Sequence, residues 1–70
     1  MKKGIYRHYK GNLYQVLALA RHSETDEKMV IYQALYGDYG FWVRPRAMFD
    51  EVIEREGKTV HRFELVTEFD

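Results

Sequence analysis

The chain has 70 residues, of which 46% are apolar and 16% aromatic, with no cysteine and a formal net charge of zero at pH 7. That length supports one domain, over residues 1–70, of a size whose core rarely supplies more than about 3 to 5 kcal/mol of net stability. The missing cysteines exclude disulfides, cysteine zinc sites and a thiol nucleophile, and no signal-peptide pattern or membrane-span length of apolar sequence occurs, so the expectation is a soluble cytoplasmic protein with no membrane partner.

In chain order, residues 5–9 form a first apolar run, and the turn residues Lys10-Gly11-Asn12 end it. Residues 13–22 come next. Leu13, Val16, Leu17 and Ala20 fit one face of a helix that Asn12 would cap, so the periodicity alone leaves helix and strand open. The strand reading is preferred because the following run, residues 29–36, is rich in β-branched and aromatic side chains. The residues between the two runs can close an antiparallel hairpin. Both runs are apolar on both faces, as in long curled strands of a barrel wall.

The loop Tyr36-Gly37-Asp38-Tyr39-Gly40 leads into a short strand at residues 41–44, which Pro45 ends. Residues 46–50 read as a single helical turn, with Met48, Phe49 and Val52 plugging one end of the barrel. A less certain extended piece covers residues 52–53, Gly57 supports a reversal, and residues 62–67 close the sheet with Phe63 and Leu65 inward. The expected fold is mainly β, a partly open barrel of about five strands with one short helical turn.

Several segments in this order carry a resemblance: Gly4-Ile5-Tyr6-Arg7-His8-Tyr9-Lys10-Gly11, Arg21-His22-Ser23-Glu24-Thr25, Leu35-Tyr36-Gly37, Trp42-Val43-Arg44-Pro45, Met48-Phe49 and Arg62-Phe63. Together they resemble the small bacterial domain-of-unknown-function family 1653, over nearly the whole chain. The resemblance implies an SH3-like barrel in a bacterial cytoplasmic protein. It brings no activity, ligand or catalytic residue with it.

Charge is unevenly spread. Residues 1–22 hold Lys2, Lys3, Arg7, Lys10 and Arg21 without one acid, and carry +5 against −5 for residues 23–70. Such asymmetry marks either an anionic partner or two parts that pair across one small fold, and zero net charge favours pairing.

His22-Ser23-Glu24 contains the residue types of a hydrolase triad, but neighbours in an extended chain face opposite sides, so Ser23 cannot reach the imidazole. His8, His22 and His61 with Glu24 match no metal-ligand spacing, and no phosphate-binding glycine pattern occurs. No catalytic residue, metal or cofactor is assigned.

Residues 41–44 must choose which alternating set to bury. Phe41 and Val43 cost less, because burying Trp42 would draw Arg44 in with it. That choice leaves an aromatic and a guanidinium together outside, as at binding surfaces. The structural alternative has Trp42 capping the barrel under the 36–40 loop, with Arg44 paired to an acid such as Asp38. The candidate contact surface is Trp42 and Arg44, with Tyr36 and Tyr39 of the neighbouring loop and Arg21, His22 and Glu24 of the preceding turn. Tyr6, Tyr9, Tyr14 and Tyr32 could enlarge it, and Arg7 and Arg62 could add charge to it.

The leading expectation is a non-enzymatic binding module for a peptide or protein, preferred over single-stranded RNA or other nucleic acid because zero net charge gives little phosphate affinity. Two other classes compete with it. One is a small hydrolase built on His8 and His22, and the other is a homo-oligomer that covers its own Trp42 patch.

Overall fold

The computed structural model describes residues 1–69. Within them the elements run β1 (Gly4–His8), β2 (Leu13–Arg21), β3 (Lys28–Ala34), β4 (Phe41–Pro45), α1 (Arg46–Phe49), β5 (Val52–Arg55), β6 (Lys58–His61) and β7 (Phe63–Glu68). Five strands form an antiparallel sheet in the order β4-β3-β2-β1-β7, and β5 with β6 makes a separate hairpin. β4 and β7 are the two ends of the large sheet and do not pair, so the barrel is not closed.

The mainly β expectation therefore holds, with seven strands where about five were expected. The additional elements come from residues 52–61. Glu56 and Gly57, at φ of +54° and +76°, form a tight reversal that lets Val52 to Arg55 pair with Lys58 to His61. Residues 13–22 are extended as preferred, because β2 is paired on both sides, with β1 and with β3. Its ladder shifts register between Val16 and Ala18, leaving Leu17 as the extra residue of a bulge. The bulge exchanges the faces of β2 part-way along, which accounts for apolar residues on both.

Alternation places Tyr6, Val16, Val30, Tyr32 and Phe63 on one face of the curled sheet, and all five are buried. Phe49 covers that face from α1. It is 1% exposed, and its ring lies parallel to Phe63, with centroids 4.0 Å apart and planes 3° from each other. Tyr6 and Tyr32 meet Phe49 edge to face at 5.4 and 5.5 Å, so the core is an aromatic cluster closed by four helical residues. Pro45 makes that short helix possible: its φ of −54° ends β4 and opens the turn. Gly4 is required where β1 crosses β7, because a Cβ there would run into the Thr67 carbonyl.

Phe49, Phe63 and Leu65 face the core as expected, but Phe41 and Val43 do not. They are 69% and 60% exposed, and the register sets Phe41 beside Gln33 and Val43 beside Ile31 on the outer face. Trp42 lies opposite Tyr32 and Arg44 opposite Val30, so this pair occupies the core side of the sheet. The reason is that β4 is an edge strand. Its core side stays open enough for Arg44 to keep its head partly in water, so no charge is fully buried. Met48 and Val52 were expected as plugs and are instead exposed, which leaves Phe49 as the one fully buried helical side chain over the core, with Met1 packed at its edge.

Phe63→Ala should cost about 3 to 5 kcal/mol through the cavity it leaves beneath Phe49. Phe41→Ala should stay within about 0.5 kcal/mol of the parent. Chemical denaturation of both variants checks the assignment, and equal losses would contradict it.

Candidate functional site

Tyr32 of β3 lies opposite Trp42 of β4, and the Tyr14 ring of β2, diagonal to Tyr32, meets it at 5.5 Å, which gives a row of three rings on the core side of the sheet. The row opens to solvent near the β3–β4 loop. There, Tyr14, Tyr32, Tyr36, Trp42 and Arg44 line a cleft of ≈ 180 Å³. The Tyr14 and Tyr36 hydroxyls are 2.7 Å apart and hydrogen-bonded. Burial and that bond push the Tyr14 phenol up to about 12.

Arg44 enters from β4. Its guanidinium carbon is 6.0 Å from the Phe63 ring centroid, and Nε donates to the Tyr32 hydroxyl at 3.4 Å. No carboxylate pairs with Arg44 among the described residues. Asp38 accepts instead from the Gly40 N–H at 3.1 Å, tying the loop to itself. The cleft thus combines a guanidinium, three phenols and an indole N–H, with no acid in its lining.

The expected surface divides in two. Tyr36, Trp42 and Arg44 meet in this cleft, and Tyr39 stands exposed in the adjoining loop. Arg21, His22 and Glu24 lie in the β2–β3 turn, at the opposite end of β3. Their polar groups are used locally: Arg21 reaches Asp26 at 3.5 Å, and Glu24 N–H donates to His22 Nδ1 at 3.1 Å. Tyr14 and Tyr32, expected only as two of several tyrosines that could enlarge the surface, line the cleft itself. Their recurrence in the two hairpin runs was visible, but their meeting depends on register.

His8 and His22 sit beyond opposite ends of β2, which separates the two groups of the hydrolase reading. His8 Nδ1 accepts from the Lys10 N–H at 3.2 Å, and the ring stands edge-on to Phe63 at 4.9 Å. Burial lowers its pKa below the usual histidine value, and Arg62, Lys10 and Arg44 reinforce the shift. Among the described residues no three metal-ligating side chains converge.

A larger cleft of ≈ 410 Å³ lies between the β5–β6 hairpin and the β1–β7 edge. Arg7, Arg55 and Lys58 line it, but so do Glu56 and Glu64. Arg55 is held by its Nη1 bond to the Tyr9 carbonyl at 3.1 Å and lies over the Tyr9 ring. Acids and bases share the walls, so this cleft has no single sign of charge to offer a ligand.

The family model described as "Protein of unknown function (DUF1653)" matches residues 4–65. The chain belongs to this family. A crystal structure of a DUF1653 protein from Bordetella bronchiseptica is 36% identical, with a TM-score of 0.89, covering 100% of this chain and 92% of that one. None of the curated proteins compared with the chain matches it. Among the described residues of this DUF1653 domain, no helix is long and apolar enough to cross a membrane.

The Tyr14 hydroxyl gives the cleft a pH signature. Its raised folded value means that its contribution to stability is present below pH 10 and is lost as pH rises through about 12. Ultraviolet titration of the folded domain should show this late phenol, and Tyr36→Phe should lower its midpoint by removing the shared hydrogen bond.

Proposed function

We propose that this DUF1653 domain is a binding module that recognises an acidic side chain within an extended peptide or protein segment. The observation that supports this most directly is Arg44: a guanidinium without a carboxylate partner among the described residues, set among hydrogen-bond donors in an aromatic cleft. An anionic group completes such a site, whereas a cation would meet Arg44 at close range. Size narrows the ligand further. Small-molecule pockets usually span about 300 to 1,000 Å³, and ≈ 180 Å³ suits one side chain. The rest of the ligand must lie on the open surface around the cleft, as a peptide does.

Trp42 is the single tryptophan and lines the cleft, so its fluorescence reports occupancy. A short peptide carrying Asp or Glu should shift that emission and bind about tenfold or more tightly than its Asn or Gln analogue, because hydrogen bonds to charged groups contribute about 1.5 to 3 kcal/mol. Arg44→Gln should remove the preference while changing stability by about 1 kcal/mol or less. Equal binding of both peptides would overturn the reading. Capture of single-stranded RNA with a steep salt dependence, lost on changing Arg7, Arg55 and Lys58, would replace it with a nucleic-acid function at the larger cleft.

A further inference from the structure

The cleft of ≈ 410 Å³ between the β5–β6 hairpin and the β1–β7 edge falls within the usual size of small-molecule sites, about 300 to 1,000 Å³. Its walls carry charge of both signs. The hairpin supplies Arg55, Glu56 and Lys58, while the sheet supplies Arg7 and Glu64. Among the described residues none of these five side chains forms an ion pair, either with one another or with a group outside the cleft. Even Arg7 and Glu64, which are opposite each other in the β1–β7 ladder, make no ion contact.

The hairpin wall holds its positive charge in place. Arg55 and Lys58 are partners in the β5–β6 ladder, so two like charges are set directly opposite each other, an arrangement that is destabilising until an anion joins it. Arg55 is kept from swinging away to an acid. Its Nη1 donates to the Tyr9 carbonyl at 3.1 Å, and its guanidinium carbon lies 5.3 Å from the Tyr9 ring centroid. A guanidinium has five N–H donors, so Arg55 keeps others for a ligand. Glu56, at the reversal of the hairpin, pairs with neither base.

We infer that this cleft binds a small zwitterion: an amino acid or short peptide with a free ammonium group and a free carboxylate. The carboxylate meets Arg55 and Lys58 on the hairpin, the ammonium meets Glu64 on the facing sheet, and Val60 borders the apolar part of the ligand. A simple anion would meet Glu56 and Glu64, and a simple cation would meet three bases. Only a ligand with both charges is matched on both walls. No residue lines both this cleft and the Arg44 cleft, so the inference does not rest on the acidic-peptide reading.

Calorimetric titration of the intact chain tests it, with alanine and Ala-Ala as probes, each also in its N-acetylated and its C-terminally amidated form. At least one free zwitterion should bind about tenfold or more tightly than both of its blocked forms, because each blocked form loses a charge-assisted hydrogen bond. The tighter of the two identifies amino acid or peptide as the ligand. Glu64 and Lys58 are exposed, so their glutamine variants should fold like the parent, which circular dichroism checks. Glu64→Gln should lower the zwitterion to the affinity of its acetylated form, and Lys58→Gln should weaken it about tenfold. The inference is overturned if neither zwitterion binds, if an acetylated form binds as tightly as its parent, or if folded Glu64→Gln keeps full affinity. Arg44→Gln should leave zwitterion binding unchanged while removing the acidic-peptide preference, so the two readings fail separately.

Discussion

The parallel contact between Phe49 and Phe63 is the constraint on which the rest of the fold depends. An open five-stranded sheet buries one face only if a second layer covers it, and among the described residues the only helix has four residues. Phe49 supplies nearly all of that cover. Its ring is fixed against Phe63 of the last strand, so the chain must complete β7 before the core made by β1 to β3 is sealed. The β5–β6 hairpin between them is tied back by Arg62, whose Nη2 donates to Glu51 at 2.7 Å and whose N–H donates to the Glu51 carbonyl. A short helix and one ion pair thereby stabilise a closure that larger proteins distribute over several elements.

Closure at one side leaves the opposite side short of cover, which is where the aromatic cleft lies. Tyr32 belongs to both regions: its ring meets Phe49 at 5.5 Å and Phe63 at 5.8 Å, while its hydroxyl accepts from Arg44. Tyr14 contacts Phe63 in the core and shares its hydroxyl with Tyr36 at the surface. Rings that are buried at one end and wet at the other give a cleft whose polar atoms are held by core packing, so little side-chain entropy remains to be lost when a ligand arrives.

Much of the core was legible in the sequence, and its failures have a definable cause. Phe49 and Phe63 follow from the proline-initiated turn and the alternation of the closing strand. Phe41 and Val43 were misread because burying Arg44 is severely unfavourable only where both faces of its strand meet a packed layer. At an edge strand neither does. The outer face has no second layer, and the core side lets the guanidinium lie over the Phe63 ring while it lines the cleft. The sequence therefore indicated Trp42, Arg44 and Tyr36 as a group while assigning them the wrong face. It could not separate them from Arg21, His22 and Glu24, because hairpin register, and not nearness in sequence, determines which end of β3 a turn occupies.

The charge asymmetry resolves in a way that bears on recognition. Lys2 pairs with Glu68 at 3.4 Å, and Arg7 lies opposite Glu64 in the β1–β7 ladder, so the basic first strand is laid against the acidic last one. That offsets two of the five N-terminal bases where they would otherwise add to a basic surface. Arg44, from the middle of the chain, has no such counterpart among the described residues. Opposed charges elsewhere leave little field to attract ligands from a distance, and screening over about 8 to 10 Å suppresses what remains. A guanidinium held in a partly dehydrated aromatic cleft interacts strongly only at contact distance. On the binding-module reading proposed above, recognition depends on the shape and hydrogen bonding of the group that enters the cleft, which favours a partner able to place one carboxylate accurately over a polymer that offers many phosphates.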